Sequence, residues 1–170
     1  MKNIPTLKTA NLILRPFDED DVYEMYQILR GKEVLRYFPN SSLPSREQVK
    51  RMVRNIINHW QDHGYGLWAV ESRKEQILMG RCGLQYLPDT AEVEVDFILG
   101  NEYWGHGFAT EAAKVSLQYG LEKLGINTIV GIVHIDNIAS QRVLEKIGMR
   151  LIESKEYFGM PCYRYATERR

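Results

Sequence analysis

The segment from Ala91 to His134 restricts the possible folds more than any other part of this sequence. Ala91 to Leu99 alternates acidic and apolar side chains, which predicts a strand with one acidic face. A glycine-rich turn follows, and then an apolar helical stripe that runs to about Leu124. Thr128 to His134 is almost continuously apolar, as expected of a strand covered on both faces. Strand, helix and strand in this order form a βαβ unit, so at least one strand pair is parallel.

The sequence on either side of this unit predicts a sheet that is otherwise mainly antiparallel. Further strands are predicted at 11–17, 67–71, 77–87, 149–158 and 161–166. The predicted helix N-caps are Asp18, Ser45 and Asn137, and the predicted helix ends are Gly31, Gly64 and Gly148. The expected fold class is therefore α/β with a mixed sheet, in the order β-α-α-β-β-β-α-β-α-β-β.

The composition is that of one ordinary domain spanning 1–170. The chain is 44% hydrophobic and carries 22 Lys and Arg against 22 Asp and Glu. Zero net charge argues against a general nucleic-acid binder, which needs an excess of positive charge. No apolar run approaches the length of a membrane span, and no secretory signal is recognisable. We therefore expect a cytoplasmic protein with no nucleic-acid or membrane partner.

The cysteines and histidines predict no metal site. Cys82 and Cys162 do not form a short metal-type pair, and a reduced cytoplasmic setting is the simplest interpretation. Cys82 is expected in the core, whereas Cys162 is open to exposure. His59 and His63 are four residues apart, which can present two metal ligands on one helix face. No third ligand is evident, so the expected interpretation is the exposed end of a helix.

The glycine-rich turn has a chemistry of its own. Gly105 and Gly107 lack side chains where a strand enters a helix, so their backbone N–H groups can close around an anion. The helix that begins there adds unpaired N–H groups and the positive end of its dipole. Taken alone, the turn is either an anion cradle or a plain connection. A P-loop would need Lys and then Ser or Thr where Phe108 and Ala109 stand, and a dinucleotide fingerprint would need glycine or alanine at Thr110.

Three further sequence blocks occur in a characteristic order. They are Leu12-Ile13-Leu14-Arg15-Pro16-Phe17; Glu94-Val95-Asp96-Phe97-Ile98-Leu99 with Tyr103-Trp104-Gly105-His106-Gly107-Phe108-Ala109-Thr110-Glu111-Ala112; and Asn137-Ile138-Ala139-Ser140 with Val143-Leu144-Glu145-Lys146-Ile147-Gly148-Met149. Together they resemble the GNAT N-acetyltransferases, most closely the ribosomal-protein acetyltransferase branch. The resemblance runs from about residue 8 to the C-terminus. It implies the GNAT acyl-CoA N-acyltransferase fold, in which helices flank a mixed sheet split by a V-shaped cofactor gap.

The resemblance also implies where acetyl-CoA would bind. The donor would lie where the strand ending at Leu99 separates from the strand ending at His134. Strand backbone would pair with the pantetheine arm, turn N–H groups would hold the pyrophosphate, and Asn137 and Ser140 would lie near the thioester. The cofactor-binding residues implied in this way are Phe97, Ile98, Leu99, Trp104, Gly105, His106, Gly107, Phe108, Ala109, Thr110, Asn137 and Ser140.

Acetyl transfer to an amine needs a base for the amine proton and a route for the departing thiolate. Glu94 matches the family's acidic position, and Asp96 is the alternative because it should share the face of Glu94 unless a bulge intervenes. Both are otherwise interpretable as a solvated acidic edge. A strand N–H near Ile98 is a candidate donor to the carbonyl oxygen. Many family members protonate the thiolate with a tyrosine, but the matching residue is Leu144; Ser140 is then either that partner or simply a small residue beside CoA.

The resemblance implies direct transfer of the acetyl group to a primary amine, most specifically a protein N-terminal amine. A small-molecule amine is the alternative acceptor, and a non-catalytic CoA-binding sensor is the alternative from another class. A homodimer is compatible with such families, although no residue here indicates one. The aromatic residues expected near the acceptor, or else in the core or rim, are Tyr37, Phe38, Trp60, Trp68, Tyr157 and Tyr163.

Overall fold

One eight-stranded sheet with flanking helices forms the protein in the computed structural model, which describes residues 2–168. The strands are β1 (Leu7–Lys8), β2 (Leu12–Arg15), β3 (Leu67–Ser72), β4 (Leu78–Leu87), β5 (Glu92–Leu99), β6 (Thr128–His134), β7 (Arg150–Tyr157) and β8 (Met160–Glu168). The α-helices are α1 (Val22–Leu29), α2 (Arg46–His63), α3 (Phe108–Gln118) and α4 (Ile138–Lys146). The strand order is β1-β2-β3-β4-β5-β6-β8-β7.

The predicted helix ends depend on local chemistry, and most of them are confirmed. Ser45 begins α2 with a capping box, and Gly64 ends it in the left-handed conformation at φ +78°. The Asn137 side chain caps α4 by accepting from the Ser140 N–H. Asp18 does act as a cap, but of a short 3-10 turn at Glu19–Asp21 rather than of α1 itself.

That 3-10 turn has a tertiary cause, which local sequence rules do not contain. The Arg15 guanidinium reaches both carboxylate oxygens of Asp21, at 2.9 and 2.8 Å, and also Glu71 at 2.7 Å. Asp21 in turn accepts from the backbone N–H of Asp18 at 2.8 Å. These bonds hold the acidic run against β2 and β3, so the regular helix starts only at Val22.

The predicted fold class is confirmed, with one strand more than expected. β1, which is two residues long, was not predicted because so short a run has no readable period. Every neighbouring pair in the sheet is antiparallel except β5 with β6. The parallel ladder consists of a single register pair, Glu94 with Val130. Beyond that pair the two strands separate, which produces the predicted V-shaped gap.

The two helical layers can be assigned from two adjacent residues of β4. Arg81 contacts the Met52 sulfur of α2, whereas Cys82 contacts the Ser116 hydroxyl of α3. Successive strand residues point to opposite faces, so α2 and α3 cover opposite faces of the sheet. Cys82 is fully buried, as predicted.

Candidate active site

The gap between β5 and β6 opens into a cavity of about 640 Å³, here called the gap cavity. Eleven of the twelve residues implied as cofactor-binding line it: Phe97, Ile98, Leu99, Trp104, Gly105, Gly107, Phe108, Ala109, Thr110, Asn137 and Ser140. His106 does not line it; its ring is exposed, 5.6 Å from the ring of Phe108. The end of β5, the start of α3 and the start of α4 therefore converge on one space.

The glycine-rich turn presents open backbone to this cavity. Gly105 and Gly107 both have φ of +79°, a conformation that residues with a Cβ adopt only with strain. A Cβ built on either glycine would meet no atom within 4 Å, so their backbone is uncovered. The first hydrogen bond within α3 runs from the Glu111 N–H to the Gly107 carbonyl, so the N–H groups at 108–110 have no acceptor within the helix.

Two residues of the same motif have structural roles. The Trp104 indole donates to the Leu99 carbonyl at 3.0 Å and joins the end of β5 to the turn. The Glu111 carboxylate accepts from the Asn11 N–H at 2.8 Å and from the Thr9 hydroxyl. This second set of bonds anchors the start of α3 to the segment before β2.

Three cationic side chains also line the gap cavity, and none of them was predicted from the sequence. They are Arg36 from the segment between α1 and α2, and Arg142 and Lys146 from α4. Arg142 and Lys146 are spaced i, i+4, which places both on one face of α4. That spacing was the only sequence signal for these cations, because the approach of Arg36 to the cavity depends on the fold.

A second cavity, of about 270 Å³, adjoins the first and is here called the inner cavity. The two cavities share the lining residues Tyr37, Phe38, Phe97, Asn137 and Ser140. The inner cavity is also lined by Glu94, Asp96, Arg81 and Gln85, which belong to β4 and β5. The point where β5 and β6 separate is therefore a junction between an open gap and a space that contains carboxylates.

Glu94 is the carboxylate at this junction. It is buried, with 5% of its surface exposed, and Gln85, its register partner on β4, donates to it at 2.7 Å. Burial and the nearby Asp96 raise the pKa of Glu94 to about 8, even though Gln85 and the Ile132 N–H favour the charged form. A carboxyl group with such a pKa exchanges protons near neutral pH, as a general base must. The solvated-edge interpretation of Glu94 is therefore wrong.

Asp96 shares the face of Glu94 but has a different partner. The β4–β5 register is unbroken from Leu87↔Glu92 to Gly80↔Leu99, so no bulge alters the alternation. The Asp96 carboxylate lies 3.1 Å from the guanidinium of Arg81, and both side chains are mostly buried. The guanidinium compensates the charge of Asp96, although Asp96 Oδ2 makes no hydrogen bond within the described residues. Glu94 faces an amide donor instead, which leaves it better suited to accept a proton.

The residues near the expected thioester position differ in the polar groups that they present to the cavities. Leu144 is buried and packs over Gly131, where a built Cβ would come within 2.8 Å of it. Ser140 lines both cavities, and its N–H donates to the Asn137 side-chain oxygen at 3.2 Å. The Asn137 oxygen is therefore engaged in capping α4, and its amide nitrogen is the group left for a ligand.

The core or rim interpretation, which the sequence left open, holds for four of the six aromatic candidates. Trp60 and Trp68 belong to the core, where their indoles donate to the carbonyls of Leu67 and Pro5. Tyr157 is buried and lines neither cavity, and Tyr163 also lies outside their walls. Cys162 is buried at 1% exposure, so the exposed alternative is wrong. Only Tyr37 and Phe38 of the six aromatic candidates line the inner cavity.

His59 is a structural residue rather than part of an exposed helix end. Its Nδ1 lies 2.8 Å from the Tyr65 carbonyl, and its Nε2 accepts from the Tyr86 N–H at 3.0 Å. Both ring nitrogens are therefore engaged with backbone, and burial lowers the pKa of His59. Within residues 2–168, no group of three or more His, Cys, Asp or Glu is arranged to hold a metal ion.

Comparison with known proteins identifies the class. The family described as the acetyltransferase (GNAT) domain matches residues 11–150, and the chain therefore belongs to the GNAT family. The uncharacterized N-acetyltransferase YoaA of Bacillus subtilis is 31% identical over 147 residues, covering 86% of this chain and 83% of that protein. The chain is an N-acetyltransferase that uses acetyl-CoA as the acetyl donor.

Solved structures share the fold at lower identity. RimL, a ribosomal L7/L12 alpha-N-protein acetyltransferase in complex with coenzyme A, matches with a TM-score of 0.83 at 19% identity over 97% of this chain and 98% of its own. Spermidine N-acetyltransferase from Vibrio cholerae, in complex with CoA and spermine, matches with a TM-score of 0.77 at 18% identity over 95% and 97%. At these identities the likeness extends to the fold alone. In the described part of the chain, no helix has both the length and the apolar character to cross a membrane.

Proposed function

We propose that acetyl-CoA lies in the gap cavity with its thioester at the junction with the inner cavity. Three features of the chain fit such a donor: uncovered backbone N–H groups at the start of α3, the cations Arg36, Arg142 and Lys146, and the unpaired edge of β5 beyond Glu94. Helix N-termini and cations both favour phosphate groups. The free edge of β5 offers backbone groups to an extended arm. His106 is left out because it does not line the cavity.

Glu94 then accepts the proton of the attacking amine. The carboxylate lies in the wall of the inner cavity, next to the junction, and its raised pKa matches the ionisation range of an amine. Bound acetyl-CoA supplies an activated acyl group, so the protein needs no nucleophile of its own. Ser140 lines both cavities and is the hydroxyl we assign to the departing thiolate. The buried position of Glu94 at this junction is the observation that carries the proposed mechanism.

The acceptor we propose is a protein N-terminal amine. A groove of about 410 Å³ between α2 and β4, here called the α2 groove, shares Arg81 and Gln85 with the inner cavity. It is lined by Gln48, Arg51, Met52, Asn55, Ile56, His59, Leu67, Arg81 and Gln85. This lining contains amides and two arginines but no carboxylate.

The charge of the α2 groove favours a peptide over a polyamine. Amide side chains such as Gln48 and Asn55 suit the hydrogen-bonding groups of a peptide backbone. A polyamine carries a positive charge at each amine, so Arg51, which has no acidic partner in the groove lining, would repel it. In the inner cavity, Arg81 already neutralises Asp96, which leaves Glu94 as the one carboxylate without a cationic partner in that wall.

The test is thiol release from acetyl-CoA with a panel of amines. We expect turnover with peptides that have a free N-terminus and none with the same peptides blocked at the N-terminus. Turnover confined to spermidine or another small amine would overturn the proposed acceptor. Acetyl-CoA binding without thiol release by any amine would support a sensor instead.

A charge reversal in the α2 groove separates the acceptor proposal from the mechanism. Arg51→Glu should change the KM for peptides several-fold at low salt and leave the KM for acetyl-CoA unchanged. Lys50→Glu is the matched control, because Lys50 precedes Arg51 on the same helix but does not line the groove. Equal effects of the two substitutions would show that the groove does not take the acceptor.

A further inference from the structure

Phe158 lies in the turn between β7 and β8, at a position where the backbone geometry disfavours a bulky side chain. Tyr157 pairs with Met160, so Phe158 and Gly159 form a two-residue hairpin loop. Their φ values are +53° and +74°, as in a type I′ turn. Asn-Gly or Asp-Gly is the preferred sequence for this turn, since both central residues have positive φ. A bulky aromatic at the first position is strained.

The Phe158 side chain is also poorly buried for an aromatic residue, because 52% of its surface is exposed. Its ring has one aromatic contact within residues 2–168, with the neighbouring Tyr157 at 6.2 Å between ring centroids. The same side chain lines the inner cavity, together with Phe38 and Met160. Strained residues that persist beside a cavity commonly serve the function of that cavity.

We propose that Phe158 is a specificity-determining residue that contacts the acceptor beside its reacting amine and favours amines with an apolar neighbouring group. The inference rests on the proposed function, in which the inner cavity receives the acceptor. Phe158 lines the inner cavity but not the gap cavity, so it is placed to contact the acceptor rather than the CoA moiety of the donor. Its contribution is confined to acceptor recognition.

Phe158→Asn tests the inference, because it relieves the turn and removes the ring together. The melting temperature should rise by ~2–4 °C. For a peptide that begins with Leu, kcat/KM should fall roughly tenfold or more, as expected from loss of an aromatic contact. The KM for acetyl-CoA should stay unchanged, and the preference for a Leu-initiated over a Gly-initiated peptide should shrink. Phe158→Tyr keeps the ring and should retain the wild-type preference.

Ala91→Asn is the matched control for strain. Ala91 also has positive φ, at +56°, in an exposed loop before β5, and it lines none of the three cavities. The Ala91→Asn variant should have a higher melting temperature than the wild type and unchanged kcat/KM for every acceptor. Unaltered acceptor preference in Phe158→Asn, or a melting temperature that does not rise, would overturn the inference.

These outcomes are distinct from failure of the proposed acceptor. If the wild-type enzyme acetylates only a small amine, the N-terminal proposal fails. Phe158→Asn is then assayed with apolar and polar analogues of that amine, and a retained preference overturns the inference on Phe158.

Discussion

At the scale of single residues, the environment of Glu94 decides its chemistry. Two carboxylates on one strand face differ because Arg81 lies beside Asp96 and Gln85 lies beside Glu94. The strand alternation predicted that Glu94 and Asp96 share a face. It did not predict which one would have a cationic partner, because that depends on the register of β4 against β5. The choice between them therefore required the fold.

The raised pKa of Glu94 has a consequence for stability. A carboxyl group whose pKa is raised on folding favours the native state at pH below its unfolded pKa and loses that contribution as pH rises through its folded pKa, here about 8. Glu94→Gln removes the ionisation. The melting temperature of this variant relative to the wild type should therefore rise between about pH 5 and pH 8.

Thermal unfolding followed across that pH range measures the difference. Asp96→Asn is a useful comparison, because it leaves Arg81 without its ion pair and should be destabilising throughout. A constant difference between Glu94→Gln and the wild type would contradict the raised pKa of Glu94.

At the scale of elements, the start of α3 depends on Gly105 and Gly107 because of their positive φ and not because a side chain would clash there. A Cβ at Gly107 would meet no neighbour, so Gly107→Ala introduces backbone strain rather than a clash. Relief of that strain would rotate the N–H groups that face the gap cavity. We expect about 1 kcal/mol of lost stability and a several-fold higher KM for acetyl-CoA.

Gly148→Ala provides the control for this effect. Gly148 follows α4, has φ of +93° and also has no atom within 4 Å of a built Cβ. It does not line the gap cavity, so the variant should lose similar stability with an unchanged KM for acetyl-CoA. Steady-state kinetics and thermal unfolding of the two variants distinguish the cases. A KM that rises equally in both would contradict a specific role for the turn.

Elements with strong local signals were predictable, and those that depend on distant partners were not. The capping box at Ser45 and the left-handed Gly64 are local, and the sequence predicted both ends of α2. The 3-10 turn before α1 depends on Arg15, and the burial of Cys162 depends on the pairing of β8. The resemblance to the GNAT family implied the gap, whereas the approach of Arg36 to it comes from a loop with no regular period.

At the scale of the whole molecule, the sheet places the donor gap and the candidate base side by side, where β5 and β6 separate. β5 contributes Glu94 just where its pairing with β6 ends, and α3 and α4 contribute the far walls of the gap. Gln85 from β4 and the Ile132 N–H from β6 hold the carboxylate in place. The separation of two strands thus creates both the space for the donor and the access to the base.

The pH dependence of kcat/KM, compared between wild type and Glu94→Gln, tests this account most directly. Both enzymes need a neutral amine, but only the wild type also needs an ionised Glu94, so its kcat/KM should fall more steeply below about pH 8. Above that pH, Glu94→Gln should be slower by roughly 10²–10⁴-fold. A variant that retains the wild-type rate and pH profile would contradict the assignment of Glu94 as the base.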